Sequence, residues 1–565
     1  MIKHMTAAAL VVSLMSSTAI AEDQGLAGAY LAARQASFLS DYATATTYYS
    51  RAIAKDRTNV SLLDSAVLAF IGEGDIPGAA QLATRRLDQV GPNQISDLVV
   101  KAAALATDDF GLTKEATGAT EGLAPLLDGL LRGWAILGQG QMSDALTAFE
   151  EVAEARDFSN IARYHEALAL ATVGDFESAH NILSGETYGP LQLSIRGILS
   201  HAQVLVQLER SDDALTLLDA ALGQRFDAEL NAMRKNLQAG QEVPYDFVSN
   251  AREGSAEVLF NLAAILNGRA APEIVLTYAR LAQHIRPGHA PAILTVAETL
   301  EGLEQYELAT QAYTQVNRDH PTYFVAEMGR ADALYADDRK GAAVEVLQAL
   351  SKSHPDLPLV HAALGDLLSR VERREEALEA YTASLDLRES DERSAWRVYY
   401  ARGIVHENLD NNVDMETDFR KALELNPNQP DVLNYLGYSL VEQKRKLDEA
   451  LSMIETAVQE RPDSGYITDS LAWIYYRLGR FEEAVAPMEK ATELVPVDPI
   501  INDHLGDIYW MVGREREAEF QWKRALSFEP EESEAIRIRK KIDIGLNAVL
   551  KEEADNAETT ETADN

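Results

Sequence analysis

The chain has 565 residues, of which 46% are hydrophobic, and a formal net charge of −38 from 89 acidic and 51 basic residues. This balance disfavours nucleic acid and anionic membrane surfaces as partners, because both carry negative charge. The chain contains no cysteine, which excludes disulfides, thiolate metal sites and a cysteine nucleophile.

The first residues predict a secretory signal peptide over 1–21. A basic start at Lys3 precedes an apolar stretch over 5–19, and Ala19 and Ala21 supply the small residues expected before a cleavage site. A permanent membrane-spanning helix needs about 20 apolar residues, and no stretch of the chain reaches that length. We therefore expect cleavage after Ala21, a periplasmic location and no transmembrane segment.

Regularly spaced prolines indicate that the rest of the chain is built from repeats. Successive intervals are 34 or 35 residues, except for one of 72, in the series Pro287, Pro321, Pro355, Pro427, Pro462, Pro496 and Pro530. Within each period a small residue stands at the eighth position, alanine recurs twelve residues later, and a bulky residue follows four positions after that. Spacings of three, four and seven are helical, and the small residues would let two helices approach closely.

These positions resemble the tetratricopeptide repeat. The unit 465–498 carries Leu471-Ala472, Tyr475, Ala484, Met488, Ala491 and Pro496, and the unit 499–532 carries Leu505-Gly506, Tyr509, Ala518, Trp522, Ala525 and Pro530 at the same offsets. The resemblance implies an all-α fold, a right-handed superhelix (α-solenoid) of about 12–14 helix-turn-helix repeats. It also implies a scaffold that binds protein or peptide partners in a concave groove, with no catalytic residues, metal or cofactor.

The pattern divides the chain into segments. We predict a signal peptide at 1–21, an N-terminal segment of partly degenerate repeats at 22–228, an irregular region at 229–255, a regular C-terminal array at 256–532, a capping helix at 533–551 and a disordered acidic tail at 552–565. The region 229–255 is interpreted either as a hinge or packed loop or as a plain insertion. The basic clusters 444–446 and 537–541 are interpreted as solvated surface.

The candidate partner surface lies on the first helices of the C-terminal units, which would line the groove. It consists of a polar ladder at the fifth position, aromatic residues at the ninth and twelfth positions, and one further aspartate: Asn434, Asp469 and Asp503; Tyr438, Trp473, Tyr476 and Trp510; and Asp507. Exposed indole rings are frequent anchors for protein partners. The alternative is that Trp473 and Trp510 pack against the neighbouring unit or the capping helix. If they bind a partner, replacing both with alanine should leave thermal unfolding nearly unchanged.

A narrower resemblance concerns function. The run 433–438, together with 469–473 and 504–507, resembles bacterial cell-envelope repeat proteins, some of which deliver substrates to carboxyl-terminal processing proteases. It implies an exported adaptor whose partner is an envelope protease. An assembly factor or chaperone for envelope or secretion machinery is a second hypothesis. An enzyme is a third, disfavoured because the repeats leave no segment of domain size.

Overall fold

The computed structural model describes residues 25–111, 124–223, 226–389 and 392–563, and the regular structure in these ranges is helical. The predicted all-α class is thereby confirmed. The predicted signal peptide at 1–21 lies outside the described residues. The chain forms two compact units, the first ending at Val346 and the second beginning at Leu347.

Within the described residues, the first unit contains seventeen complete α-helices, and an eighteenth contains the boundary. They are α1 (Leu26–Phe38), α2 (Tyr42–Lys55), α3 (Val60–Glu73), α4 (Ile76–Val90), α5 (Gln94–Leu105), α6 (Ala124–Gly138), α7 (Met142–Ala153), α8 (Ser159–Thr172), α9 (Phe176–Leu183), α10 (Ile195–Gln207), α11 (Ser211–Leu222), α12 (Ala228–Gln238), α13 (Ala251–Leu266), α14 (Pro272–Ile285), α15 (Ala290–Gly302), α16 (Tyr306–Tyr313), α17 (Tyr323–Ala336) and α18 (Lys340–Ser353).

The second unit continues with α19 (Pro358–Arg370), α20 (Arg374–Asp386), α21 (Trp396–Glu407), α22 (Asn412–Leu425), α23 (Pro430–Glu442), α24 (Leu447–Glu460), α25 (Gly465–Arg477), α26 (Phe481–Leu494), α27 (Pro499–Met511), α28 (Glu515–Leu526), α29 (Glu532–Ile544) and α30 (Leu546–Ala563). Consecutive helices pack as pairs, from α19 with α20 to α27 with α28. This is the helix-turn-helix arrangement that the period of 34 predicts.

The eighth-position glycines lie against the bulky side chain of the second helix in the same pair. A Cβ atom added to Gly506 would lie 2.4 Å from the Trp522 ring, and one added to Gly403 would lie 2.6 Å from Phe419. Side-chain atoms do not approach so closely without a shift of the backbone or the ring. The expectation that small residues permit close approach of the two helices is confirmed at these pairs.

The turn inside each pair uses the left-handed backbone region. Some pairs place glycine there, as at Gly479 (φ 73°), and others a polar residue, as at Glu372 (φ 62°). The left-handed region costs an L-residue about 1–2 kcal/mol, whereas glycine adopts it freely. The repeat geometry therefore sets this backbone conformation even where the local residue does not favour it.

The first unit folds back on itself. α13 packs on α6, and α14 packs on α3 and α5, although more than a hundred residues separate them in the chain. At these contacts a Cβ on Gly254 would lie 2.3 Å from the Trp134 ring, and Arg280 donates to the Gly72 carbonyl at 3.4 Å. α13 and α14 thus share one hydrophobic core with the helices that precede residues 229–255.

A buried ion cluster joins α8, α10, α13 and the N-cap residue of α15 in this unit. The Glu257 carboxylate is fully buried and accepts from Arg196 at 2.7 Å, from His289 at 3.1 Å and from the Tyr164 hydroxyl at 3.3 Å. Burial alone would raise the pKa of Glu257, but Arg196 and His289 hold that pKa well below its ordinary value. Burial, followed by Arg196, lowers the pKa of His289 to about 4. His289 is therefore a neutral donor at neutral pH.

Two segments differ from their sequence-based description. The region 229–255 includes most of α12 and the beginning of α13, with irregular backbone between them. At the C-terminus, two helices replace the single capping helix, because the chain turns at Gly545 (φ 81°) between α29 and α30. α30 continues through residue 563, across most of the stretch for which the composition predicts disorder.

Candidate functional site

The eight predicted surface residues lie on α23, α25 and α27, the first helices of three successive pairs in the second unit. The structure brings most of them together, but not as an open surface. Asp469, Trp473, Asp503 and Asp507 are buried, whereas the other four are half-buried: Asn434, Tyr438, Tyr476 and Trp510.

Trp473 is held in an aromatic stack. Its ring lies parallel to Tyr476 at 4.7 Å and to His504 of the next pair at 3.9 Å. Its Nε1 donates to Glu442 of the preceding pair at 3.0 Å, and the residue is 8% exposed. Contacts on both faces leave little of the ring for a partner. The structure therefore favours the packing alternative for Trp473.

Trp510 lies between its own pair and the C-terminal helices. Its ring is 5.5 Å from the Trp522 ring, and a Cβ on Gly545 would lie 2.7 Å from Trp510 Cζ2. The glycine at the α29–α30 turn is thus needed both for its positive φ and for the space that the indole occupies. The structure therefore favours the packing alternative for Trp510 as well.

Asp503 and Asp507 hold a buried lysine from α29. Lys541 Nζ donates to Asp503 at 2.7 Å and to the two oxygens of Asp507 at 2.7 and 2.8 Å, and Trp522 Nε1 donates to Asp507 at 2.9 Å. Burial raises the pKa of Asp507 above its ordinary value, and Lys541 opposes that rise. The interpretation of Lys541 as solvated surface is wrong, because its side chain is fully buried against two carboxylates.

The same relationship recurs between other neighbouring pairs. Asp469 on α25 accepts from His504 on α27 at 2.9 Å, and Glu442 on α23 accepts from Trp473 on α25. Burial alone would lower the pKa of His504, but Asp469, followed by Asp503 and Asp507, raises it above its ordinary value. An acidic residue on one first helix thus accepts from a donor on the next. We call these contacts the internal ladder.

A family model described as tetratricopeptide repeat matches residues 130–180, 362–430 and 436–499. These ranges fall on helix pairs of both units, including α23 and α25, which carry Glu442, Asp469 and Trp473 of the internal ladder. These three ranges are tetratricopeptide repeats.

Two curated relatives contain tetratricopeptide repeats. "TPR repeat-containing protein PA4667" of Pseudomonas aeruginosa is 27% identical over 173 residues, which are 30% of this chain and 28% of the relative. Human "Tetratricopeptide repeat protein 13" is 27% identical over 175 residues, which are 30% of this chain and 20% of the relative. The chain therefore matches less than a third of the length of either relative.

A solved structure, that of "YrrB: a TPR protein with an unusual peptide-binding site", is 22% identical and has a TM-score of 0.29. The match covers 35% of this chain and 99% of the chain in that structure. Separately, no helix within the described ranges is long and apolar enough to cross a membrane.

Four predicted residues lie outside the internal ladder, and one of them, Trp510, packs against Trp522 and the turn at Gly545. Asn434, Tyr438 and Tyr476 are half-buried, and their side-chain polar atoms make no hydrogen bond within the described part of the chain. Asn434 Oδ1 is buried and unpaired. Burial raises the pKa of both Tyr438 and Tyr476, so both hydroxyls stay protonated and can donate. We call these three residues the open positions.

The donors of the internal ladder were not among the residues predicted from the sequence. Lys541 stands 34 residues after Asp507, one repeat period along the chain, so it occupies the same register on the next first helix. Extending the repeat register past residue 532 would have placed a lysine beside the aspartates. His504 carries no comparable signal, because a histidine next to an aspartate in sequence is common on solvated helices.

Proposed function

We propose that this protein, which contains tetratricopeptide repeats, is a scaffold or adaptor that binds a segment of another protein at the open positions of the second unit. Repeats of this family bind proteins or peptides through the first helices of their pairs. The observation that supports this location is Asn434 Oδ1, a buried acceptor that no donor in the described residues satisfies. A buried polar group without a partner is costly, and a bound peptide N–H would satisfy it.

The surroundings of the open positions determine which segment would fit. Tyr438 supplies aromatic area, and the hydroxyls of Tyr438 and Tyr476 supply donors. Glu442 is exposed on α23 but already accepts from Trp473 and lies 3.9 Å from Arg477. Rigid aromatic side chains with a polar tip are frequent contributors to binding energy in protein interfaces. The site therefore suits a segment with an apolar side chain and backbone donors.

We also propose that the chain acts in the cell envelope after removal of residues 1–21. This proposal rests on the basic start, the short apolar stretch and the small residues at Ala19 and Ala21. Mass determination of the protein purified from its own cells tests it. A chain that begins at Glu22 agrees with the proposal, and a chain that retains residues 1–21 contradicts it.

Affinity capture from the envelope fraction of the producing cells tests the binding function. The full chain is compared with the double variant Asn434→Ala, Tyr438→Ala and with the control Tyr466→Ala, which removes a tyrosine that is 60% exposed on α25 of the same unit. We expect recovery of the partner to fall at least tenfold for the double variant and to be unchanged for the control. Equal recovery with all three proteins contradicts the proposal.

The identity of the captured protein separates two roles. A protease supports the adaptor, whereas components of secretion or envelope-assembly machinery support an assembly factor or chaperone. A chain that captures no protein but turns over a small-molecule substrate contradicts both roles.

A further inference from the structure

A cavity in the first unit differs in charge from the rest of the chain. It has a volume of about 710 Å³ and is lined by residues of α8, α10, α13 and α15 and by the segments that precede α10 and follow α13. Asp and Glu make up 89 of the 565 residues. None of the residues that line this cavity, all of them in the described ranges, is acidic.

Two cations line the cavity, and only one of them is available to a ligand. Arg196 is already neutralised, because it pairs with the buried Glu257 through two nitrogens. Arg269 is exposed and makes no ion pair within the described residues. The cavity therefore presents one uncompensated positive charge inside a strongly acidic protein, which favours an anionic group there.

Side-chain amides surround this charge. Asn160 is used internally, since it binds the backbone N–H and carbonyl of Gln192 and so fixes the segment before α10. The side chains of Gln192 and Asn267 are exposed and lack such a partner in the described chain. An amide offers both a donor and an acceptor, which matches the alternating groups of an extended peptide backbone.

Apolar side chains complete the wall. Ile265 is 46% exposed on α13, and Ile161 and the buried Phe260 lie in the same lining. Exposed aliphatic surface beside amides and an arginine is a mixture suited to a peptide with alternating side chains, because a small inorganic anion would leave the apolar wall unused. A nucleic acid would meet only one available cation, too few for phosphate-backbone binding.

From these observations we infer that the cavity is a second protein-binding site, which takes an extended acidic segment of a partner protein. Its carboxylate pairs with Arg269, its backbone bonds the Gln192 and Asn267 amides, and an adjacent aliphatic side chain packs on Ile265. The site is independent of the open positions in the second unit.

The probe is a set of three fluorescein-labelled nonapeptide pools, randomised over Ala, Ser, Asn and Leu except for a central Leu-Glu, Leu-Gln or Leu-Lys. Anisotropy titrations use the full chain at low ionic strength. We expect the Leu-Glu pool to bind about fivefold or more tighter than the Leu-Lys pool, because a charge-assisted hydrogen bond is stronger than a neutral one. Hydrogen exchange should slow over residues 192–196 and 260–269 when the Leu-Glu pool binds.

Variants assign the binding to the cavity. Arg269→Glu should abolish the preference for Leu-Glu, whereas Arg318→Glu, the same charge change at an exposed arginine of the same unit, should retain it. Ile265→Asp places a carboxylate at a different position in the lining and should weaken binding of the Leu-Glu pool to a similar degree. Failure of every pool to bind overturns the inference, as does equal binding of the three pools or the same loss in Arg318→Glu as in Arg269→Glu. None of these outcomes bears on capture at the open positions.

Discussion

Lys541 on α29 donates to both carboxylate oxygens of Asp507 on α27, at 2.7 and 2.8 Å, with neither side chain more than 1% exposed. The contact fixes α29 to the last helix pair. Lys541 also donates to Asp503 at 2.7 Å, so it occupies two of the aspartates that the sequence predicted as partner-binding residues. A buried ion pair of this kind holds α29 in one position, because moving Lys541 away would leave two buried carboxylates uncompensated.

Lys541→Met should therefore destabilise the C-terminal pairs. Removing one partner of a buried ion pair costs about 3–5 kcal/mol. We expect faster hydrogen exchange in α27–α29 and a lower urea midpoint. Lys540→Met is the matched control, because Lys540 is exposed and pairs with Glu552 at the surface, where such pairs contribute about 0–1 kcal/mol. Equal stability of the two variants contradicts the buried pairing.

Trp473→Ala should also destabilise the second unit, contrary to what a binding role alone would give. Loss of a large buried aromatic side chain costs about 3–5 kcal/mol. Trp473→Phe retains an aromatic ring but loses the bond to Glu442, for a cost of about 1–2 kcal/mol. Tyr466→Ala, on the same helix but exposed, should stay within about 0.5 kcal/mol of the parent. A Trp473→Ala protein that unfolds at the parent's urea concentration would show the stack to be dispensable.

The raised pKa of His504 predicts a stability that depends on pH. The protonated imidazole is favoured in the folded chain by Asp469, Asp503 and Asp507, so its contribution is fully present below the ordinary histidine value of 6.5. The contribution is lost as pH rises above 6.5 and through the raised value. Urea unfolding at pH 5.5 to 9 should show the parent losing more stability over this rise than His504→Gln does. Parallel curves for the two proteins would mean that His504 does not titrate in this way.

Glu257→Gln should destabilise the first unit. It leaves the Arg196 guanidinium buried without its carboxylate, which costs about 3–5 kcal/mol. Hydrogen exchange should accelerate in α8, α10, α13 and the beginning of α15, which the cluster joins. Glu242→Gln is the control, since Glu242 is exposed in the loop between α12 and α13. Unchanged protection in α13 of the Glu257→Gln protein would contradict the role assigned to the cluster.

Most of the local structure within each helix pair could be predicted from the repeat period. The glycines at 403 and 506 and their aromatic partners could be placed from sequence, because a helix pair in close contact requires a small residue at one crossing position. The period does not determine which distant helix covers an apolar face. The packing of α13 and α14 on α3, α5 and α6 depends on matches such as Gly254 against Trp134, which no local pattern reveals.

The repeat period predicts which helices carry the candidate residues, but not which of these residues the fold uses for its own contacts. The ladder at Asp469 and Asp503 is present on successive first helices, as the spacing of 34 indicates. The carboxylates of this ladder could accept hydrogen bonds from a partner or from the next repeat, since both present donors. Only the positions of His504 and Lys541 decide between the two, and they leave Asn434, Tyr438 and Tyr476 as the open positions.

Site-specific photocrosslinking tests the proposed function most directly. A photoreactive phenylalanine analogue is placed at Tyr438 on α23 or, as a control, at Phe520, which is 64% exposed on α28, a second helix. Illumination of the producing cells should give a discrete crosslinked protein from position 438 and none from position 520. No crosslink at 438, or the same products from both positions, would contradict a partner-binding surface at the open positions.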